Sequence, residues 1–462
     1  MHWIDLSIIL IFLAGFSIYG IYQSRFNKSS EDYFLGGRNL PWPVAMLSIV
    51  ATETSVLTFI SVPGLAYRDD WFFLQLAIGY IIGRVIVSFF LLPQYFKSGV
   101  NSIYEIIGHK FGPEIQKVAS GIFLITRVLA DGVRFLATAV VVQVITGWSL
   151  TLAVIVIGAV TLIYTLSGGI KTVVWVDSIQ FILYLFGGVA SIFILLNYID
   201  QSLFEAISTL SGQGKLAIFN WKGDLLREPY LFISALLGGA LLSFSSHGVD
   251  YMMVQRVLGT KDLDSAKKAM IGSGIFVFIQ FGVFLLVGSL IFVLMGAVEL
   301  ERDREFTSFI VNYLPIGLKG VLLAGVLSAA MSTLSSSINS LASSTVTDWL
   351  GGNQSIQKSQ IISLIWGLVL IGIALLFDES DSAIVIVGLQ IASFTYGGLL
   401  GLFLLSKINR KFHPISLVTG LIASFLIVFY LNQIGIAWTW FIGVAVVVNF
   451  TVTHIVNLVF DN

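Results

Sequence analysis

Apolar residues run along this chain in long blocks rather than in the stripes of a half-buried element. A run of about 20 apolar residues spans a bilayer as a helix. Thirteen such segments can be read: 4–24, 42–64, 71–96, 117–146, 149–166, 173–198, 229–256, 267–297, 317–347, 359–377, 383–405, 412–431 and 436–459. The strands of a membrane barrel would instead alternate apolar and polar residues over about 10 positions. The longest polar stretches, Asp200–Glu228 and Glu299–Pro315, are too small to bury a core and read as short helices over one mouth of the bundle. The first segment has no basic stretch before it and no small-residue cleavage site after it, so it reads as a span. The expected fold class is an all-α polytopic membrane protein.

Composition agrees and excludes whole classes of function. Hydrophobic residues make up 56% and charged residues 11%, with a mean hydropathy of +0.93. Soluble chains carry roughly 25% charged residues. The net charge of -1 offers no basic field for nucleic acid. The absence of cysteine removes disulfides, thiolate chemistry and Cys-based metal sites. The five histidines show no zinc-ligand spacing. With no nucleotide loop or nucleophile motif either, the chain is not expected to be an enzyme.

Lysine and arginine set the orientation. With the N-terminus outside, 15 of them fall in cytoplasmic loops, Arg256 included, and 7 in outer loops. Arg84, Arg127 and Arg134 lie inside spans. The bias predicts an outer N-terminus and a cytoplasmic C-terminus in a cell (inner or plasma) membrane. Thirteen spans require opposite ends, as the bias does.

Several spans are too polar to face lipid. Glu53 lies near the middle of the second, among Ala51, Thr52, Thr54 and Ser55. A mid-membrane carboxylate costs at least about 2.5 kcal/mol on the insertion scale. Glu53 is either a structural carboxylate between helices or part of an unwound segment whose carbonyls meet an ion or solute. The seventh span holds Gly238, Gly239, three serines and His247, and reads as a weakened helix. In the ninth, Ser328, Ser332, Ser335 and Ser336 share one helix face. Such a stripe serves close packing or supplies hard oxygen ligands for sodium. In the fourth, Arg127, Asp131 and Arg134 form a self-neutralising ladder, or one arginine is free to pair bidentately with a substrate carboxylate. Arg84 poses the same question on the third. Segments 42–198 and 229–405 each hold five spans, so the second set starts from the opposite side. Inverted halves with broken spans point to alternating access.

Four motifs in order resemble the sodium/solute symporter family, which includes the sodium/proline, sodium/galactose and sodium/sialic acid transporters. They are Asp32-Tyr-Phe-Leu-Gly-Gly-Arg-Asn-Leu-Pro41, the stretch Tyr164–Gln180 with its Gly-Gly pair, Asp250-Tyr-Met-Met-Val-Gln-Arg256, and Ser328–Ser337 with Asn339 and Ser340. The resemblance runs from about Tyr33 to Lys407. It implies a leucine-transporter-type 5+5 inverted repeat: an extra helix and loop over 1–41, repeats over 42–198 and 229–405, an outer loop over 199–228, and two closing helices over 406–462. It also implies sodium-coupled uptake of a small polar organic solute (a sugar, polyol or carboxylate), with Na+ as coupling ion and no organic cofactor. The expected partners are the solute and the bilayer, with the chain a monomer. Carried over by motif, the first sodium site comprises Ala51, Thr54, Ala329, Ser332 and Thr333. Solute candidates are Glu53, Thr58, Gln75, Arg134, Ser243, Ser246 and Gln390. Sugar transporters have a gating tyrosine where Ser246 stands, which counts against galactose-like recognition. Sialic acid transporters hold an additional sodium at positions matching Asp177, Ser332, Ser335 and Ser336. A proton-driven symporter using Glu53 or Asp177, a channel and a solute sensor are the alternatives on the same fold.

Overall fold

A computed structural model of the chain describes residues 2–460 except 55, 297, 299–303, 353 and 377–381, and omits the side chains of 56, 57, 60, 137, 144, 145 and 382–393. Among the described residues the structure is helical, with a single isolated bridge between Leu40 and Thr260. The helices are α1 (Trp3–Gln23), α2 (Ser30–Leu35), α3 (Trp42–Glu53), α4 (Val56–Arg68), α5 (Phe73–Phe90), α6 (Leu92–Ser98), α7 (Tyr104–Phe111), α8 (Pro113–Thr146), α9 (Leu150–Ile199), α10 (Leu203–Gly212), α11 (Phe232–Gly248), α12 (Tyr251–Leu258), α13 (Leu263–Met295), α14 (Glu305–Tyr313), α15 (Leu318–Ser344), α16 (Ile356–Leu376), α17 (Ser382–Ser406), α18 (Pro414–Gln433) and α19 (Phe441–Asn457). The described residues of each predicted apolar segment fall mainly on helix. By length and composition, eight of the described helices can cross a membrane, or nine if the bent pair α11–α12 is one span. The stretches Asp200–Glu228 and Glu299–Pro315 contain the short helices α10 and α14.

Burial explains which spans tolerate polar residues. In Leu318–Trp349, which is α15 and the π-helical turn after it, 94% of the most apolar window is buried, against 28% in α1 and 33% in α16 and α18. A helix wrapped by protein can carry hydroxyls because neighbours hydrogen-bond them. α15 is therefore the serine-rich central helix, and α1, α16 and α18 form an apolar perimeter. Its N-terminus is capped from α1: the Asp5 carboxylate accepts from the Gly317 and Gly320 amides at 2.8 and 2.9 Å.

Three breaks define the interior. α3 ends at Thr54, whose backbone is extended (φ -81°, ψ 101°). This is the break expected beside Glu53. α11 and α12 bend by 62° at Val249–Asp250, and Asp250 caps the new helix by accepting from the Met252 amide at 3.0 Å. The seventh predicted span is thus broken as expected, but at the end of the stretch Gly238–Asp250; α11 runs unbroken through Gly238 and Gly239. Those glycines pack helices instead. A Cβ at Gly239 would strike the Leu76 carbonyl, and one at Gly83 of α5 would strike that of Ala240. The third break is compressed. The fifth and sixth predicted spans are one kinked helix, α9, because Gly169 takes φ 60° and ψ -158° and turns the chain within a residue. A side chain there would be strained and would meet the Tyr33 carbonyl.

Candidate functional site

The end of a helix leaves its last carbonyls without intrahelical donors. Ala51 and Thr54 lie at the end of α3, facing α9 and α15. Between these helices is a cavity of about 10 Å³ lined by Ala51, Thr54, Gln180, Phe181, Tyr184, Ala329 and Ser332. That volume is near the minimum for one water-sized occupant. Ser332 Oγ is buried without a hydrogen-bond partner. The Thr54 hydroxyl is held by the Gln280 amide at 2.9–3.1 Å, and Gln280 also donates to the Tyr184 hydroxyl at 3.2 Å. Thr333 Oγ1 donates to the Ala329 carbonyl at 3.4 Å. The donor set is hard and neutral, which suits an alkali cation and not a transition metal.

Next to it, Asp177 of α9 meets both broken helices. Its Oδ2 accepts from Ser48 at 2.6 Å and Thr52 at 3.4 Å, and pairs with Arg256 Nη2 at 3.3 Å. Arg256 also reaches Ser48 Oγ at 2.8 Å, the Met252 carbonyl at 2.5 Å and the Ser336 hydroxyl. Asp177 Oδ1 is buried without a hydrogen-bond partner. Ser335 donates to the Ser332 carbonyl at 3.1 Å. The sequence count put Arg256 in a cytoplasmic loop; it is fully buried in α12. Asp177 repays its burial, because an isolated buried guanidinium would cost several kcal/mol.

Glu53, Arg84 and Arg127 pair as well. Glu53 bonds Arg84 of α5, with His247 Nε2 at 3.7 Å. Arg127 pairs with Asp131 at 3.3 Å and, across the bundle, with Asp250 at 2.9 Å. Tyr396 of α17 lies 2.5 Å from Arg127 and donates to Asp250 at 2.7 Å, while Ser337 donates to Asp131 at 2.5 Å. Arg134 is different. Its nearest carboxylate oxygen is Asp131 Oδ1 at 3.6 Å, its buried Nε has no hydrogen-bond partner, and 22% of its side chain is exposed.

The profile of the Sodium:solute symporter family matches residues 33–412. The chain belongs to that family. The sodium/sialic acid symporter SiaT of Proteus mirabilis is 28% identical over 92% of this chain and 89% of its own. The mouse sodium-coupled monocarboxylate transporter 1 is 28% identical over 90% of this chain and 70% of its own. Among solved structures, a Na+-coupled sialic acid symporter in a substrate-bound outward-open state matches with a TM-score of 0.89 at 24% identity, covering 99% of this chain and 98% of that one. Mhp1, a nucleobase-cation-symport-1 transporter, matches with a TM-score of 0.64 at 14% identity, covering 92% and 94%. These two fix the fold. The protein is thus a multi-pass, sodium-coupled symporter.

The symporter brings Ala51, Thr54, Ala329 and Ser332 to one cavity, with Thr333 a turn beyond Ala329. The solute candidates are more scattered. Gln75 is fully engaged: its amide donates to the Phe72 and Tyr230 carbonyls at 2.9 and 3.0 Å and accepts from the Asn220 amide at 3.0 Å. Ser243 donates to the Tyr80 carbonyl at 3.0 Å. Ser246 bonds the ring of its neighbour His247 at 2.9 Å. Thr58 is half-buried on α4, and the Gln390 side chain lies outside the described residues. Sequence reasoning missed Gln180 and Tyr184, which line this cavity, and Gln280, which holds Thr54 beside it. Both amides lie in spans, where an unpaired amide is costly, and that was the available signal. Only packing says which neighbours they meet.

Proposed function

We propose that the symporter couples sodium entry to uptake of a small organic carboxylate by alternating access, without covalent chemistry. The single observation that carries this is the end of α3 at Thr54 against Ser332, around a cavity sized for one small occupant. In this reading the carbonyls of Ala51, Thr54 and Ala329 and the hydroxyls of Ser332 and Thr333 hold the sodium. Arg134 receives the solute carboxylate, supported by its unfilled Nε and partial exposure. A carboxylate is also common to sialic acid and the monocarboxylates named for the relatives. Glu53 with Arg84 lines the solute path at the α3 break.

The architecture we propose has thirteen membrane helices, with inverted repeats over 42–198 and 229–405, an outer N-terminus and a monomeric working unit. The two broken pairs, α3–α4 and α11–α12, open the two halves and support that symmetry. The test is uptake of candidate carboxylates into proteoliposomes. Sodium should drive accumulation where lithium or choline does not. Ser332→Ala should raise the half-saturating sodium concentration about 10-fold, as expected for roughly 1.4 kcal/mol of lost ligation. Unchanged sodium dependence would remove the site, and accumulation in choline would favour protons. A second reading, two sodium ions per cycle, is favoured by the buried, unpartnered Asp177 Oδ1.

A further inference from the structure

Away from the ion and solute region, a groove of about 550 Å³ opens between the N-terminal ends of α3 and α13. The Leu40–Thr260 bridge holds both helix starts at the same end of the molecule. The groove wall is apolar: Met46 on α3, with Ile271 and Phe276 on α13. Gly272 permits it, because a Cβ there would run into Met46 Sδ. The rim is built differently, from Trp42, Lys267 and Lys268. Trp42 is exposed, as interfacial tryptophans are. The Lys267 ammonium sits over the Phe89 ring, 4.6 Å from its centroid, and that of Lys407 sits over Phe90 at 4.3 Å. Both rings are exposed. Lysines paired with exposed aromatic rings mark the depth at which hydrocarbon gives way to headgroups.

Neither rim lysine has a carboxylate partner among the described residues. Asp262 caps the Ser265 amide at 2.7 Å and pairs with Lys261 at 3.6 Å. Asp264, one turn before Lys268, forms no ion pair with it. Two ammoniums without a carboxylate partner, beside an apolar wall at interfacial depth, match a phosphodiester joined to an acyl chain. We propose that this groove binds one anionic phospholipid, its phosphate at Lys267 and Lys268 and a chain along Met46, Ile271 and Phe276. The proposal rests on the membrane-spanning reading but not on sodium coupling, so either can fail alone.

The experiment is native mass spectrometry of the purified full chain in detergent, titrated with phosphatidylglycerol or phosphatidylcholine of identical chains. Wild type should retain one phosphatidylglycerol, preferred over phosphatidylcholine by roughly 10-fold given two lysines. K267Q/K268Q should lose that preference and K267R/K268R should keep it. K110Q/K358Q, with the same charge change elsewhere, should leave it intact. Equal retention by wild type and K267Q/K268Q overturns the proposal. So does an equal loss in K110Q/K358Q, which would report bulk charge. Displacement of the lipid by millimolar glycerol 3-phosphate would overturn it too, by showing a site for soluble phosphate.

Discussion

Arg127 and Arg134 stand about two turns apart on α8 and serve different purposes. Arg127 holds two carboxylates from different helices, so replacing it leaves Asp250 without a cation and Asp131 with only the longer contact to Arg134. Arg127→Leu is expected to destabilise the protein by about 3–5 kcal/mol, read as a lower melting temperature or loss of monodisperse protein. Arg134 has an open Nε, so Arg134→Lys should leave melting unchanged while raising KM for a carboxylate solute at least about 10-fold, because Lys loses the bidentate fork. Unchanged KM would assign Arg134 to structure. Glu53 and Arg84 need a double-mutant cycle. Either single change, Glu53→Gln or Arg84→Met, leaves an uncompensated group, and the pair together should recover stability. If the recovered double variant also transports normally, the pair is structural.

At the scale of elements, glycine decides how closely α5 and α11 approach. Gly79, Gly83 and Gly239 bring backbone against backbone, so any Cβ meets a main-chain atom that cannot rotate away. Gly83→Leu should cost about 3 kcal/mol or more, whereas Gly282→Leu on α13, where a Cβ meets nothing, should be neutral. Equal melting temperatures would show that the seam yields. The breaks follow another logic. α12 restarts because Asp250 caps it while paired to Arg127, so one carboxylate both starts the half-helix and ties it to α8.

For the whole molecule, the ion count follows from charge. Arg256 neutralises Asp177 within the bundle, so a second sodium there must share or displace that pairing. If two ions are coupled, the Hill coefficient for sodium should approach two in uptake, and Asp177→Asn should lower it towards one. A wild-type coefficient of one, with one sodium taken up per solute, would leave only the site at Ser332. Orientation can be tested directly, because the chain has no cysteine. A membrane-impermeant maleimide should label Gln213→Cys from outside and Lys358→Cys only after permeabilisation. The opposite pattern would invert the topology.

The sequence alone determined that this is a helical membrane protein and where its apolar helices run, and its motifs named Ala51, Thr54 and Ser332 as one set, which the structure places around one cavity. Apolar runs, motif order and the polarity of Glu53 and the serine stripe are local properties, and local properties survive in one dimension. The break at Thr54 was legible for the same reason, since hydroxyls and a carboxylate in mid-span disfavour a lipid-facing helix. The tertiary structure decided the pairings. Arg256 reads as a loop charge because it ends an apolar run, yet α12 bends back and buries it against Asp177. Gly238 and Gly239 read as a weak point because glycine lowers helix propensity, yet α11 is straight there: Gly239 seats it on α5 and Gly238 seats it on Thr439. Which arginine is fully paired depends on Asp250 and Tyr396, more than a hundred residues from Arg127. A guanidinium's partner is set by three-dimensional distance and the loss of water around it, and no pattern along the chain encodes either.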